Sequence, residues 1–471
     1  MDIASLVAHE PRTFLAFMFL ISKIAPLFRG PSVNRRILRA ATAVTIAGLV
    51  VKIAATFKEV TVAGVYGRSD VMDAFLAANL IPGLLINLIS ESMNQALVPT
   101  LIRVREREGH ERAQQLLSSS MVWMCLLLAA ASAIMALTAR GFFPLIASHF
   151  PPAKFDLSVR LFYALLPVVL ITGVATNCTA VLNTFDRFTV PALAPGAMPI
   201  CIMLGAWLLS GRLGIWAMVY GTLSGAAVQA AVVAWMMDTH GYRFRLRWYG
   251  MTEAAREVAH QYWPVLLSSV VASGGLLVDQ SMAAALSSGS VSALAYAARF
   301  VTVVLTLLAG AISTAVVPHL SRMIAVEDWA GCRHTIRTWV RVTAMISVPI
   351  ALGLIVLSKW LVRVAYQHGA FHAADTAVVA PVLVMYAIQI PFYISSRVYY
   401  RFLVAMRRTD LILYCGIINL ALDIVLNLIL MRFFGVAGIA LATSLWMATT
   451  FLFLWYWSSR LLSRSMAEAA P

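Results

Sequence analysis

Along most of the chain, apolar residues run on without the polar positions every third or fourth residue that mark a soluble amphipathic helix. Twelve such stretches stand out, near residues 38–63, 71–100, 114–138, 158–183, 190–210, 214–237, 260–287, 291–320, 336–358, 376–404, 409–431 and 436–458. Each is about 20 residues or longer, enough for a helix to cross roughly 30 Å of hydrocarbon. The pattern predicts an all-α polytopic membrane protein with about 12 transmembrane helices. A shorter apolar patch at residues 14–28 is interrupted by Lys23 and flanked by Arg12 and Arg29. It reads as an interfacial helix on the cytoplasmic side, not as a signal peptide.

The polar residues that break the apolar runs carry the functional information. Lys52, Lys58, Glu59, Asp73, Asn79, Asn87, Glu91, Asn94 and Gln95 all fall in the first two predicted spans. One charged residue near the middle of a membrane helix costs roughly 2.5–3.5 kcal/mol, so several in succession must face protein or water. At about 100° per residue, Asn87, Glu91, Asn94 and Gln95 share one stripe, and Pro82 is expected to bend that helix. These groups either pair to hold two helices together or line a polar translocation cavity; the cavity is the preferred reading.

In the second half, Asp279 and Gln280 interrupt span seven and Arg299 interrupts span eight, after Tyr296. Arg299 either pairs with Asp279 or stays available for a phosphate, whose oxygens suit the guanidinium fork. Asn419, Asp423 and Asn427 recur every fourth residue along span eleven, where hydrogen bonding between helices is the favoured reading. Arg397, beside Tyr393, Tyr399 and Tyr400, is either a cavity residue or a snorkelling one. His368 and His372 are expected in a solvated outer loop.

Composition agrees with the pattern: 61% of residues are hydrophobic, 12% are charged and the mean hydropathy is +0.82. The net charge of +15 would suggest nucleic acid if the basic residues formed one patch, but they occupy alternate loops. Arg103, Arg105, Arg107 and Arg112 follow span two; Arg243, Arg245, Arg247 and Arg256 follow span six. Arg322, Arg333, Arg337 and Arg341 follow span eight, and Arg401, Arg407 and Arg408 flank the connection after span ten. The intervening loops are poorer, with two exceptions: Arg140, Lys154 and Arg160 in one, Lys359 and Arg363 in another. By the positive-inside rule both termini are expected in the cytoplasm.

The five cysteines lack metal-ligand spacing and imply no disulfide framework. No phosphate-binding glycine loop or metal cluster stands out, so no catalytic residues, metal or organic cofactor are assigned. A coupling monovalent ion or the membrane potential is the expected driving force.

A weak internal repeat is present. Ala96-Leu97-Val98-Pro99-Thr100-Leu101 returns as Ala315-Val316-Val317-Pro318-His319-Leu320, and Gly214-Ile215 is echoed by Gly435-Val436. This suggests two six-helix lobes around a central cavity. The expected division is a cytoplasmic or interfacial segment at 1–37, lobes at 38–240 and 241–460, and a cytoplasmic tail at 461–471.

Several motifs together resemble the MurJ/MviN family of lipid II flippases. They are Phe57-Lys58-Glu59, Val71-Met72-Asp73-Ala74-Phe75 with Pro82, and Glu91 followed by Gln95-Ala96-Leu97-Val98-Pro99. Leu182-Asn183-Thr184-Phe185-Asp186-Arg187-Phe188 with Pro191, Ser288-Gly289-Ser290-Val291-Ser292 with Tyr296 and Arg299, and Tyr366-Gln367-His368-Gly369-Ala370-Phe371 complete the set. The resemblance covers roughly residues 38–460. It implies the multidrug/oligosaccharidyl-lipid/polysaccharide exporter fold, with two lobes in a V, alternating access and a cationic cavity.

Position by position, the resemblance places Lys52 and Lys58 where the family usually has essential arginines, and Glu59 where it has an aspartate. Asp73 and Arg299 match important family residues, whereas Ile86 and Asn87 replace an arginine pair. The family also usually has fourteen spans, against twelve predicted here. Lysine keeps the charge but loses bidentate phosphate geometry, which leaves both lipid II and a related undecaprenyl-diphosphate-linked glycan as substrates.

The function expected is a flippase in the bacterial inner membrane. Lys52, Lys58 and Arg299 would hold the pyrophosphate, and Glu59, Asp73, Glu91 and Asp279 would supply the acidic and coupling groups. Rival readings are an exopolysaccharide or O-antigen repeat-unit flippase, a drug/cation antiporter, a membrane glycosyltransferase and a scaffold for cell-wall enzymes. Expected partners are the lipid-linked glycan, membrane lipids and glycan-synthesis enzymes, with no nucleic acid, around a monomeric chain.

Overall fold

Helix follows helix with short turns between, and among the described residues there is no β-strand. The computed structural model describes residues 32–147, 149–183, 189–406 and 408–468; the apolar patch at 14–28 lies outside them. The order begins α1 (Ser32–Tyr66), α2 (Asp70–Leu85), a π-helical segment (Ile86–Glu91), α3 (Ser92–Glu108), α4 (His110–Ile146) and α5 (Pro152–Asn183). It continues with α6 (Thr189–Leu193), α7 (Ala197–Leu213), α8 (Trp216–Thr239), α9 (Glu253–Ala284) and α10 (Ser290–Ala325). The last helices are α11 (Trp329–Tyr366), α12 (Ala373–Ala387), α13 (Gln389–Ala405), α14 (Thr409–Phe434) and α15 (Val436–Glu468).

Among the described residues, ten helical stretches are long and apolar enough to cross a bilayer, and they match predicted spans two to six and eight to twelve. Predicted spans one and seven are helices of 35 and 32 residues, α1 and α9, that fall outside those ten. Both carry ionisable residues, Lys52, Lys58 and Glu59 in α1 and Glu253, Arg256, Glu257 and Asp279 in α9. Residues 461–468, expected as a tail, continue α15.

Breaks in the helices follow proline chemistry. Span ten divides into α12 and α13 at Ile388, just ahead of Pro391, whose ring cannot pass the carbonyl four residues earlier. Span two carries Pro82 inside α2 and after Leu85 widens into the π-helical segment. Inserted π turns shift the register of the faces beyond them, so a single 100° stripe through Asn87, Glu91, Asn94 and Gln95 does not describe this span. Asn87 and Gln95 are exposed and Asn94 is half-buried.

The echo between Gly214-Ile215 and Gly435-Val436 is one turn built twice. Gly214 closes α7 at φ 55° and ψ −135°, and Gly435 closes α14 at φ 56° and ψ −133°. Each donates its N–H to the carbonyl four residues back, Ser210 at 2.8 Å and Met431 at 2.9 Å. A left-handed φ with no Cβ penalty is what glycine supplies there.

Buried apolar residues form three clusters. One spans residues 283–462 with Ala63 added, the second spans 62–226 and the third spans 89–262. The third includes Val258 and Tyr262 of α9, while Gly274 and Gly275 of the same helix lie against Leu420 and Asp423 of α14. Helix α9 therefore packs on the third cluster at one end and on α14 at the other.

Candidate functional site

Two segments far apart in sequence, α1 and the first turns of α10, meet along a seam. Lys58 and Glu59 lie on α1, and Arg299 lies on α10, a turn beyond Tyr296. Glu59 Oε1 is 2.6 Å from Lys58 Nζ and 2.7 Å from Arg299 Nε. One carboxylate is shared between two cations, leaving a net positive charge. The side chains of Glu59 and Lys58 are 9% and 15% exposed, whereas that of Arg299 is 54% exposed. Arg299 thus offers an open face while held from behind.

Position is fixed by the neighbouring turn. The Tyr296 hydroxyl donates to the Gly67 carbonyl at 2.9 Å, tying the start of α10 to the end of α1, and its ring packs on Tyr366 and Phe371. The ion pair anticipated between Arg299 and Asp279 is not formed; Arg299 pairs with Glu59 instead. Lys52 is exposed and lies apart from the triad. Glu91 closes the π-helical segment, but its side chain is outside the described set.

Asp73 does not belong to a cavity. It is 1% exposed, one turn into α2, and its carboxylate caps α10 across the seam. Oδ2 accepts from the Gly289 N–H at 2.7 Å and Oδ1 from the Ser292 N–H at 2.8 Å, an anion at a helix N-terminus where free amides and the helix dipole favour it. Lys154 of α5 completes the group, 2.9 Å from Asp73 and 2.6 Å from Asp70.

More bonds gather at this same end. Arg68 Nε pairs with Asp375 at 3.1 Å and its Nη1 donates to the Ser288 carbonyl, while the Ala370 N–H donates to the Gly64 carbonyl at 2.7 Å. His368, expected as solvated, is exposed yet lies against Gly64, with Nε2 3.2 Å from the Val60 carbonyl. His372 is exposed and opens α12, its N–H donating to Asp375. At this end α1 and α2 are therefore bonded to the start of α10 and to the turn before α12.

Asp279 lies away from the triad. It sits inside the second half, where its carboxylate accepts from Asn427 Nδ2 at 2.8 Å and from Thr443 Oγ1 at 3.2 Å. The same Asn427 amide reaches Asp423 Oδ1 at 3.1 Å. Asp279 and Asp423 are 8% and 2% exposed, and neither pairs with a Lys or Arg among the described residues. Asp423 Oδ2 and Asn427 Oδ1 are buried with no hydrogen-bond donor. Asn419 donates to Thr450 at 2.8 Å, so the anticipated bonding between helices is present. Arg397 hydrogen-bonds the Tyr393 hydroxyl, and its guanidinium lies 4.3 Å from the centre of that ring and 5.8 Å from Tyr400.

Lys154, Asp70, Arg68 and Asp375 were not singled out from the sequence. A signal existed: Lys154 is one of the basic residues that break the alternating loop charges. In the structure two aspartates pair with it.

With this geometry in hand, known proteins place the chain. A sequence profile of the family "Lipid II flippase MurJ" matches residues 62–468. The chain belongs to the MurJ family. A probable lipid II flippase MurJ of Vibrio cholerae serotype O1 is 28% identical over 430 residues, covering 88% of this chain and 81% of that one. A solved lipid II flippase MurJ in an inward closed conformation superposes with a TM-score of 0.76 at 26% identity, covering 88% of this chain and 86% of that one. An inward-facing multidrug-resistance MATE transporter of the MOP superfamily gives a TM-score of 0.77 at 12% identity, covering 90% and 99%, and shares the fold alone. MurJ membership makes this chain a multi-pass integral membrane transporter and not an enzyme, and bears out the resemblance read from its motifs.

Proposed function

We propose that the chain moves a lipid-linked, diphosphate-bearing glycan precursor, lipid II or a close relative, from the inner to the outer leaflet of a bacterial inner membrane. The observation that carries this reading is the triad: an internal carboxylate bridging a cation of its own helix and a cation of the opposite half. Glu59, between Lys58 and Arg299, occupies the place a diphosphate oxygen would take. An arriving diphosphate brings more charge than one carboxylate and meets the open face of Arg299, so it competes with Glu59 for Arg299 and Lys58. Releasing Glu59 from Arg299 loosens the seam, and binding is thereby linked to movement of the halves by alternating access. The basic end faces the cytoplasm and the end bonded through Asp73 faces outward, which puts both termini inside. The enzymes that build the precursor on the cytoplasmic face would hand it to a monomeric chain.

The cluster of Asp279, Asp423, Asn427 and Thr443 is the coupling site in this reading. Two carboxylates sharing one amide in an apolar interior need a compensating charge. An all-oxygen set with two free acceptors suits a small alkali cation. A drug/cation antiporter reading finds less support, because the seam is cationic. Leaflet accessibility of labelled lipid II in proteoliposomes is the direct test. Arg299→Ala and Lys58→Ala abolish transport while inserting normally, and Glu59→Gln tightens binding of a soluble diphosphate analogue. Normal transport by both cation variants would overturn the reading.

A further inference from the structure

We infer that residues 243–248 form an interfacial strap that binds anionic phospholipid at the basic end of the protein. The stretch reads Arg243-Phe244-Arg245-Leu246-Arg247-Trp248, basic and apolar in strict alternation. It is neither helix nor strand, and Arg247 lies 5.1 Å over the ring of Tyr249, two residues on, the same-side i, i+2 neighbourhood of an extended chain. All six are exposed, with Phe244, Leu246 and Trp248 at 44%, 58% and 44%. Neither water nor hydrocarbon alone suits such a segment. At a bilayer surface the apolar set enters the acyl region and the arginines meet lipid phosphates.

The strap is built, not loose. His110, Gln114 and Ser119, on the first turns of α4, hold it at three points. His110 Nε2 is 3.1 Å from the Gly241 carbonyl, and the Gln114 side chain bonds both the N–H and the carbonyl of Arg243, at 3.0 and 2.9 Å. Ser119 Oγ accepts from the Tyr249 N–H at 3.1 Å. Next to the strap, Trp248 and Met251 lie beside Met93, Leu116, Trp123 and Val258 in a mainly apolar surface depression. Charge commits the occupant: three arginines without a neighbouring acid in the run select an anionic headgroup over a zwitterionic one, by roughly fivefold per arginine.

The test uses full-length protein in bilayers, with Cys125 and Cys201 replaced and a fluorophore placed by cysteine substitution at each of positions 243 to 248 in turn. Brominated acyl chains quench positions 244, 246 and 248, and aqueous iodide quenches 243, 245 and 247. In polymer-extracted native discs, R243Q/R245Q/R247Q lowers the phosphatidylglycerol and cardiolipin share of the co-extracted lipid at least twofold, with the fold intact by circular dichroism. Quenching without a two-residue period overturns the strap. An unchanged lipid share, alternation or not, overturns its preference for anionic lipid.

Discussion

Two polar clusters lie within the same apolar bundle and solve the problem of charge burial in different ways. At the seam, Glu59 is neutralised by protein cations, Lys58 and Arg299, and one of those cations stays half open. Within the second half, Asp279 and Asp423 are neutralised by no described side chain and leave two buried oxygen acceptors unused. The first arrangement is complete without a ligand and can be displaced by a stronger anion. The second holds two buried carboxylates that share one amide donor, with Thr443 beside them.

The sharpest way to break this contrast is to remove the seam cations. Arg299→Ala leaves Glu59 paired with Lys58 alone, a loss of about 1 kcal/mol for a half-exposed pair, and transport of labelled lipid II falls at least a hundredfold. Lys58→Arg, which keeps the charge, retains measurable transport in the same assay. Next in size is the carboxylate pair. In the wild type, excess sodium or lithium raises the melting temperature, in line with about 2.7 kcal/mol at a hundred times the dissociation constant. Asp423→Asn removes that shift, measured by tryptophan fluorescence during heating, and makes transport independent of the ion.

The Asp73 cap gives a smaller effect. Asp73→Asn weakens two bonds to the start of α10, each worth about 1.5–3 kcal/mol when the acceptor is charged. Spin labels at Ser69 and Ser288 then report a broader, longer distance distribution than in the wild type. Smallest is Gly64→Ala, whose new Cβ would lie 2.8 Å from His368 Cδ2. Because an exposed imidazole can swing away, the cost is under about 1 kcal/mol, read as a small fall in melting temperature.

Much of this was legible in the sequence. Runs of apolar residues gave the spans, and the cost of charge in hydrocarbon singled out Lys58, Glu59 and Arg299. The pairing was not legible: Arg299 had Asp279, twenty positions away, as its evident partner, and chose Glu59, two hundred and forty positions away. Asp73 shows the same limit. An aspartate early in a helix reads alike whether it faces a cavity or caps a neighbouring helix, and only the approach of α10 makes it a cap. The π-helical segment also escaped, because nothing in Ile86-Asn87-Leu88-Ile89-Ser90-Glu91 distinguishes one helical register from another.

Local rules therefore determined the membrane class, the near-complete set of spans, the glycine turns at 214 and 435, and which ionisable groups needed explaining. These follow from transfer energies and backbone sterics, which act on each residue and its near neighbours. Tertiary structure decided who pairs with whom: the shared carboxylate at the seam, the latch through Lys154 and Asp73, and the cation-free pair at Asp279 and Asp423. Electrostatic partners are chosen by distance in space, and the folding of two halves against each other sets that distance.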